Sequence, residues 1–180
     1  METRNLRKLN SILGKISTRQ EEITAVLFPI LSAVEETARK FDGKVLNRRF
    51  TTAITAALTG NGHHITAGFA EEWNGKPRYS TIQFHYRSSQ GDYRTFYLYA
   101  ADEVHRSYSN ESGRIEADRV LWTVSNERDC LQNELTTLAS ASEEAERFIK
   151  KFSAIEEEMQ NLRLTPGLGK FIYGSYEIRI

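Results

Sequence analysis

The sequence has little cysteine, little proline and no net charge. Its 180 residues include one cysteine, Cys130, and three prolines. A single thiol excludes an intramolecular disulfide, and no cluster of cysteine and histidine has the spacing of a structural zinc site. We therefore expect neither a disulfide framework nor a bound metal, and no motif indicates a cofactor.

Charge and hydropathy exclude further classes of protein. The 24 basic and 24 acidic side chains cancel, so the general positive field of a non-specific nucleic-acid binder is missing, although a local patch is compatible with this balance. No run approaches the roughly 18 apolar residues of a membrane span, and the first residues lack the apolar core of a signal peptide. The expectation is a soluble cytoplasmic protein with no membrane partner.

The common enzyme motifs are also missing. The sequence contains no Walker A loop, no G-x-G-x-x-G, no G-x-S-x-G and no H-E-x-x-H. Two acidic doublets lie at 71–72 and at 102–103, and nothing in the sequence brings them together for acid/base chemistry. We therefore predict no catalytic residues and interpret the protein as a non-enzyme.

Apolar residues recur at spacings of three and four along residues 1–41. The members of this stripe are Leu6, Leu9, Leu13, Ile16, Ile23, Leu27, Ile30, Val34 and Phe41. The spacing predicts a long helix, either continuous or divided by a capping box at Thr18 and Glu21 or at Ser17 and Gln20. Pro29 lacks an amide hydrogen and is expected to kink this helix near residues 25–28. Between Ile23 and Val34 the apolar arc widens, which predicts burial on several sides.

A shorter helix is predicted over residues 47–59. Asn47 lies where an N-cap belongs, and Gly60 lies where a C-terminal cap belongs. The four threonines of this segment also suit a strand. The helical spacing of Phe50, Ile54 and Leu58 favours the helix.

Residues 63–101 change to an alternating pattern, which predicts an antiparallel β-meander. Asn74-Gly75 is a strong signal for a two-residue turn. The pairs expected from it are Phe69 with Ser80, Ala67 with Ile82 and Ile65 with Phe84. A three-residue loop, Ser89-Gln90-Gly91, gives the next hairpin. Its expected pairs are Tyr86 with Arg94, Phe84 with Phe96 and Ile82 with Leu98. Both turns place the apolar side chains on one face of the sheet.

The polar face of this sheet is a candidate binding surface. Its predicted members are His64, Tyr79, His85, Arg87, Tyr97 and Tyr99. The expected register puts His64 beside His85, and such a pair is able to share a metal ion or a proton. Two ligands without a carboxylate do not make a zinc site, so no metal is assigned. Aromatic and basic residues on a sheet are also typical of single-stranded nucleic-acid binders. The third interpretation is a face without function, either solvated or covered by a helix.

Residues 114–163 are predicted to be helical, and their second half carries a heptad repeat. The apolar seam consists of Ala145, Phe148, Phe152, Ile155, Met159 and Leu162. One flank carries Glu144, Lys151 and Glu158, and the other carries Ile149, Glu156 and Arg163. A narrow apolar seam between charged flanks is typical of a coiled coil.

Two features near the C-terminus complete the predicted architecture. An upstream apolar stripe changes phase at residues 140–142, which predicts a bend between two helices. Residues 170–180 alternate as one or two short strands, with Gly174-Ser175 as a bulge or turn. A strand from this segment is expected to join the edge of the meander and cover its unpaired backbone groups.

The patterns together predict a single α+β domain. A long kinked N-terminal helix and long C-terminal coiled-coil-like helices flank a three- to four-stranded antiparallel β-meander. A heptad repeat without any group of catalytic residues favours a non-catalytic interaction or assembly protein that is adaptor- or inhibitor-like. Its expected partner is another protein or a second copy of the chain in a homo-oligomer. An origin in a phage or mobile element is a hypothesis that rests only on the lack of recognisable motifs. The alternatives are a nucleic-acid-binding module, which the net charge does not support, and a small-ligand or metal-binding enzyme with a pocket near His64 and His85.

Overall fold

The computed structural model describes residues 4–45, 47–71, 75, 77–99, 115, 117–164, 170–173 and 176–179. In chain order its elements are α1 (Arg4–Glu22), a π-helical turn (Ile23–Leu27), α2 (Phe28–Phe41), α3 (Arg48–Gly60), β1 (Thr66–Glu71), β2 (Pro77–Arg87), β3 (Tyr93–Tyr99), α4 (Ala117–Leu164), β4 (Lys170–Tyr173) and β5 (Tyr176–Arg179). Helices flank a three-stranded antiparallel sheet, so the predicted α+β class is confirmed. The chain divides into two compact units, one of residues 18–136 and one of residues 1–17 with 137–180.

The N-terminal helix is continuous at Thr18, where the sequence allowed either a continuous helix or a break. Thr18 does not cap a second helix, because α1 extends to Glu22 and the Thr18 hydroxyl accepts a hydrogen bond from Gln90 (3.3 Å). The distortion expected before Pro29 is present as the π-helical turn, in which the Phe28 amide donates to the Ile23 carbonyl. A proline ring cannot complete the regular α-helical ladder, and a single π turn accommodates that defect without ending the helix.

The apolar residues in and directly after this turn are buried, as their wide arc predicted. Ile23, Leu27, Ile30, Leu31 and Val34 are at most 2% exposed. They form the centre of the core of the 18–136 unit, and full burial of each such side chain contributes about 1.5–3 kcal/mol.

Helix α3 begins at the predicted N-cap, and its left-handed glycine lies two residues beyond the predicted one. The Asn47 side chain accepts a hydrogen bond from the Arg49 amide (2.9 Å), as an N-cap does. At the other end Gly62, not Gly60, adopts the left-handed conformation, with φ of +83°. The amides of Gly62 and His63 donate to the carbonyls of Thr59 and Leu58, which is the Schellman arrangement. Gly60 remains inside the helix.

The second hairpin of the meander has the predicted register. Tyr86 pairs with Arg94, Phe84 with Phe96 and Ile82 with Leu98. In the loop Gly91 takes a φ of +89°, and the Ser88 amide donates to the Asp92 carbonyl (2.8 Å). A three-residue loop with glycine in the left-handed position accounts for this pairing.

The first hairpin differs from the predicted register. Ala67 pairs with Phe84 and Phe69 with Ile82, two residues away from the expected partners, and an irregularity follows Phe69, after which Ala70 pairs with Arg78. A shift of two residues keeps each side chain on its face, so the apolar pattern cannot distinguish the two registers. The segment between the strands decides between them, and Asn74 of the predicted turn lies outside the described residues.

The inner face of the sheet and one face of α3 are buried. Ile82, Phe84 and Leu98 are at most 1% exposed, as are the α3 side chains Phe50, Ile54 and Leu58. Helix α3 packs against α2 and β1. The Thr55 hydroxyl accepts a hydrogen bond from the Ala67 amide (2.8 Å), which ties the helix directly to β1.

Helix α4 is a single helix of 48 residues, so the predicted bend at residues 140–142 does not divide it. A phase change in an apolar stripe moves the buried face around a helix without disturbing its local hydrogen bonds. Its first amide, at Ala117, donates to the Asp42 side chain (3.0 Å). Backbone hydrogen bonds from Gly43 to Ile115 (2.9 Å) and from Ile115 to Lys44 (2.8 Å) hold the chain beside this start.

The two C-terminal strands pair with each other. Phe171 lies opposite Ile178 in an antiparallel β4–β5 sheet, and β3 carries no further strand in the described part of the chain. Two strands in this segment were one of the predicted outcomes. The prediction that one of them joins the meander as a fourth strand was wrong, because β4 and β5 pair with each other, and each is the nearest partner of the other in sequence. Gly174-Ser175 lies outside the described residues.

Candidate interaction surfaces

The heptad residues of α4 form an apolar stripe that opens to solvent. We call Ala145, Phe148, Phe152, Ile155, Met159 and Leu162 the α4 seam. Ala145 is 6% exposed, whereas Phe148, Ile155 and Met159 are 45%, 51% and 39% exposed. Phe152 is half-buried, and the side chain of Leu162 lies outside the description. The seam is therefore covered at its start and accessible from Phe148 onward.

The flanks of the α4 seam carry charges without partners in the described part of the chain. Lys151 is exposed and forms no ion pair with any described residue. Glu156, on the opposite flank, is half-buried, and its Oε1 atom is shielded from solvent without a hydrogen-bond partner there. A shielded carboxylate oxygen without a donor is unfavourable, and such groups are uncommon in folded proteins.

A second exposed surface is the outer face of β2 and β3. Tyr93 is 84% exposed, and Tyr97 and Tyr99 are about half exposed. The Arg87 guanidinium lies 5.3 Å from the centre of the Tyr93 ring and donates to the Gly91 carbonyl (2.9 Å). Three tyrosines on one side of β3, at positions 93, 97 and 99, thus share a face with one cation.

The predicted histidine pair does not exist. Thr66, not His64, lies opposite His85, because the β1–β2 register is displaced and His64 precedes the strand. The two ring nitrogens of His85 lie 2.7 Å from the Gln83 amide nitrogen and 3.2 Å from the Thr95 hydroxyl. Among the described residues no three histidine, cysteine, aspartate or glutamate side chains are grouped to hold a metal ion.

Tyr79 is separated from the other predicted members of the polar face by the irregularity in β2. Its ring packs edge-on against Phe69, with ring centres 5.0 Å apart. Phe69 pairs with Ile82 of the buried face, and the pairing is interrupted between Ile82 and Arg78. The structure therefore brings together His85, Arg87, Tyr97 and Tyr99, but not His64 or Tyr79.

A buried ion network lies inside the 18–136 unit, and sequence reasoning missed it. Glu22 accepts hydrogen bonds from the Tyr86 hydroxyl (2.7 Å), from Arg94 (2.9 Å) and from Arg19 (2.8 Å). Arg19 also donates two hydrogen bonds to Glu134, at 2.7 and 3.0 Å. The Glu22 side chain is only 4% exposed. The one sequence signal is a carboxylate directly beside Ile23 in an apolar stripe, which by itself does not identify its partners.

The network changes the proton affinities of its members. Burial alone would raise the pKa of Glu22, but hydrogen bonds from Tyr86, Arg19 and Arg94 together lower it. Burial and the Glu22 hydrogen bond raise the pKa of the Tyr86 hydroxyl. The hydrogen bond from Arg19 lowers the pKa of Glu134. These directions describe an ionised carboxylate held by cations and a neutral tyrosine, which is the arrangement of a stabilising network rather than a proton donor.

The comparisons with known proteins found no relative. No protein-family model matches the chain, and neither a curated protein nor a solved structure matches it. None of the helices in the described ranges combines the length and hydropathy needed to cross a membrane. The one thiol, Cys130, is exposed on α4.

Proposed function

We propose that this protein is a non-catalytic assembly protein that binds another polypeptide through the α4 seam. The observation that carries the proposal is the exposure of Phe148, Ile155 and Met159 on one stripe of one helix. Scattered apolar side chains on a surface are common, but an aligned row between charged flanks is typical of a helix that packs on a partner.

A capture experiment with a matched pair of variants tests the proposal. Ile155→Glu places a charge in the α4 seam, and Glu157→Lys changes an exposed charge two residues away, on the opposite side of the helix. We expect the native chain and Glu157→Lys to capture the same partner, both from host extract and when that partner is supplied in purified form. Ile155→Glu is expected to lose this binding. Equal retention of the partner by both variants would contradict the proposal.

A second candidate function is binding of single-stranded nucleic acid by the outer face of β2 and β3. Exposed Tyr93, Tyr97 and Tyr99 provide stacking surfaces, and Arg87 provides one cation. Fluorescence anisotropy with short single strands across a salt series tests this candidate, since phosphate contacts give affinities that fall steeply with salt. Tyr97→Ala is expected to weaken the binding, and the candidate is excluded if no binding is seen at low salt.

The third candidate, a ligand or metal pocket near His64 and His85, receives no support from the register. Its two histidines are not neighbours on the sheet.

A further inference from the structure

We infer that the occupant of the α4 seam is a second copy of this chain, aligned parallel and in register. The inference rests on the proposed function and specifies its partner. Three observations on one helix carry it: the open apolar stripe, a lysine on one flank without an ion-pair partner among the described residues, and a carboxylate on the other flank with one oxygen that has no donor there.

The heptad positions define which residues would meet. Residues 145, 152 and 159 occupy one seam position of the repeat, and residues 148, 155 and 162 occupy the other. In a parallel pair of helices, each exposed seam residue packs beside its own counterpart, so Phe152 meets Phe152 and Ile155 meets Ile155 of the second copy. The apolar stripe is thereby covered along its exposed length.

The flanking charges then complement each other. In a parallel coiled coil, the residue that precedes one seam position faces the residue five positions later on the other helix. Lys151 of each copy therefore faces Glu156 of the other, and the dimer contains this ion pair twice. The arrangement supplies a cation to the carboxylate whose Oε1 atom has no hydrogen-bond donor among the described residues.

An antiparallel pair does not achieve this. With the stripes fully overlapped, Lys151 faces Glu158, whereas Glu156 faces the apolar Ile149 and stays without a cation. Because a partly buried carboxylate opposite an apolar side chain is unfavourable, the parallel alignment is preferred.

The expected dimer is weak and needs concentrated samples. From Phe148 to Leu162 the stripe covers 15 residues, about 22 Å of helix. An interface of that length lies at the small end of specific interfaces. Sedimentation equilibrium up to roughly 0.5 mM protein covers dissociation constants in the micromolar range.

Reversal of the flanking charges tests the alignment. Lys151→Glu and Glu156→Lys each place like charges opposite one another twice per dimer, and each is expected to weaken dimerisation about tenfold at low salt. The double variant K151E/E156K recreates both pairs in the parallel arrangement and is expected to restore the native affinity. In the antiparallel arrangement the double variant stays weak, because residue 151 then faces Glu158. Glu157→Lys is the control variant, and circular dichroism monitors helix content in all of them.

A crosslink tests the register directly. Ile155→Cys in a Cys130→Ser background places the two new thiols side by side in the parallel dimer, and a disulfide-linked dimer is expected in an oxidising glutathione buffer. In the antiparallel alignment, residue 155 faces Phe152 and no such product forms.

The outcomes separate the inference from the proposed function. A dimer with charge rescue and the residue-155 crosslink supports both. A dimer without rescue or crosslink overturns the parallel alignment and leaves the assembly function standing. A strict monomer at 0.5 mM overturns the inference, while seam-dependent capture of another protein would still support the function. A strict monomer without seam-dependent capture overturns both.

Discussion

Replacement of the buried carboxylate in Glu22→Gln is the most direct test of what holds the 18–136 unit together. The substitution keeps the shape of the side chain and removes its charge. Three donors now converge on this carboxylate, from Tyr86, Arg94 and Arg19. The neutral amide accepts from them more weakly, because hydrogen bonds to a charged group are roughly twice as strong as those between neutral groups.

The size of the stability loss in Glu22→Gln depends on how exposed the two arginines that pair with Glu22 are. Breaking a fully buried ion pair costs about 3–5 kcal/mol, mainly because the remaining charge is left without a partner. Here Arg19 and Arg94 are 37% and 38% exposed, and Arg19 retains Glu134. Both guanidinium groups therefore keep contact with water, and we expect a loss of about 2–3 kcal/mol in the free energy of unfolding, below the fully buried case.

Urea unfolding followed by circular dichroism measures this loss. At slopes of about 2–3 kcal/mol/M the unfolding midpoint is expected to fall by roughly 1 M. Glu36→Gln is the matched control, since Glu36 pairs with Lys40 on the exposed surface of α2. Its unfolding midpoint is expected to equal that of the native chain within error.

The pH dependence gives a second criterion. The pKa of Glu22 is lower in the folded chain than its ordinary value of 4.5. Its stabilisation is complete above that value and is lost as pH falls through the folded-state pKa. The native chain is therefore expected to exceed Glu22→Gln in stability by a constant amount from pH 6 to 8, and the gap narrows below about pH 4.5. The reasoning would be refuted if the unfolding midpoint of Glu22→Gln equalled that of the native chain within error at pH 7. It would also be refuted if the stability difference between the two did not change with pH.

Two further predictions concern α4. Asp42→Ala removes the side chain that caps the Ala117 amide and is expected to cost about 1 kcal/mol in urea unfolding; an unchanged midpoint contradicts the capping role. Burial and, next, the nearby charge of Glu134 raise the pKa of Glu127. Its ionised form therefore opposes folding, and Glu127→Gln is expected to increase the free energy of unfolding by about 0.5 kcal/mol at pH 7. The gain should fade as pH drops and the native carboxyl protonates; a loss of stability at pH 7 refutes it.

Much of the local structure was predictable because its causes are local. The alternation and the glycine at position 91 determine the β2–β3 register within 20 residues of chain. The N-cap at Asn47 and the distortion before Pro29 depend on single residues and their nearest neighbours. Short-range steric and hydrogen-bonding rules act in the same way wherever the segment lies in the fold.

The candidate surfaces were predictable in part. The heptad pattern identified the α4 seam, but burial of Ala145 and exposure of Ile155 differ along one unbroken pattern. The pattern specifies a stripe without specifying how far a partner helix covers it. On the sheet, the alternation placed Tyr97 and Tyr99 correctly on the outer face, whereas the irregularity after Phe69 separated His64 and Tyr79 from them.

By itself, the sequence therefore determined which segments are helices or strands and which face of each is buried. It also determined the register of the β2–β3 hairpin, whose loop requires a glycine in the left-handed conformation. Tertiary structure alone decided the β1–β2 register and the capping of α4 by Asp42. It also decided the partners in the ion network. Arg94 lies 72 residues from Glu22 in sequence, and Glu134 lies 115 residues from Arg19. Such pairings depend on which surfaces meet when the core closes, and no local pattern encodes that distance.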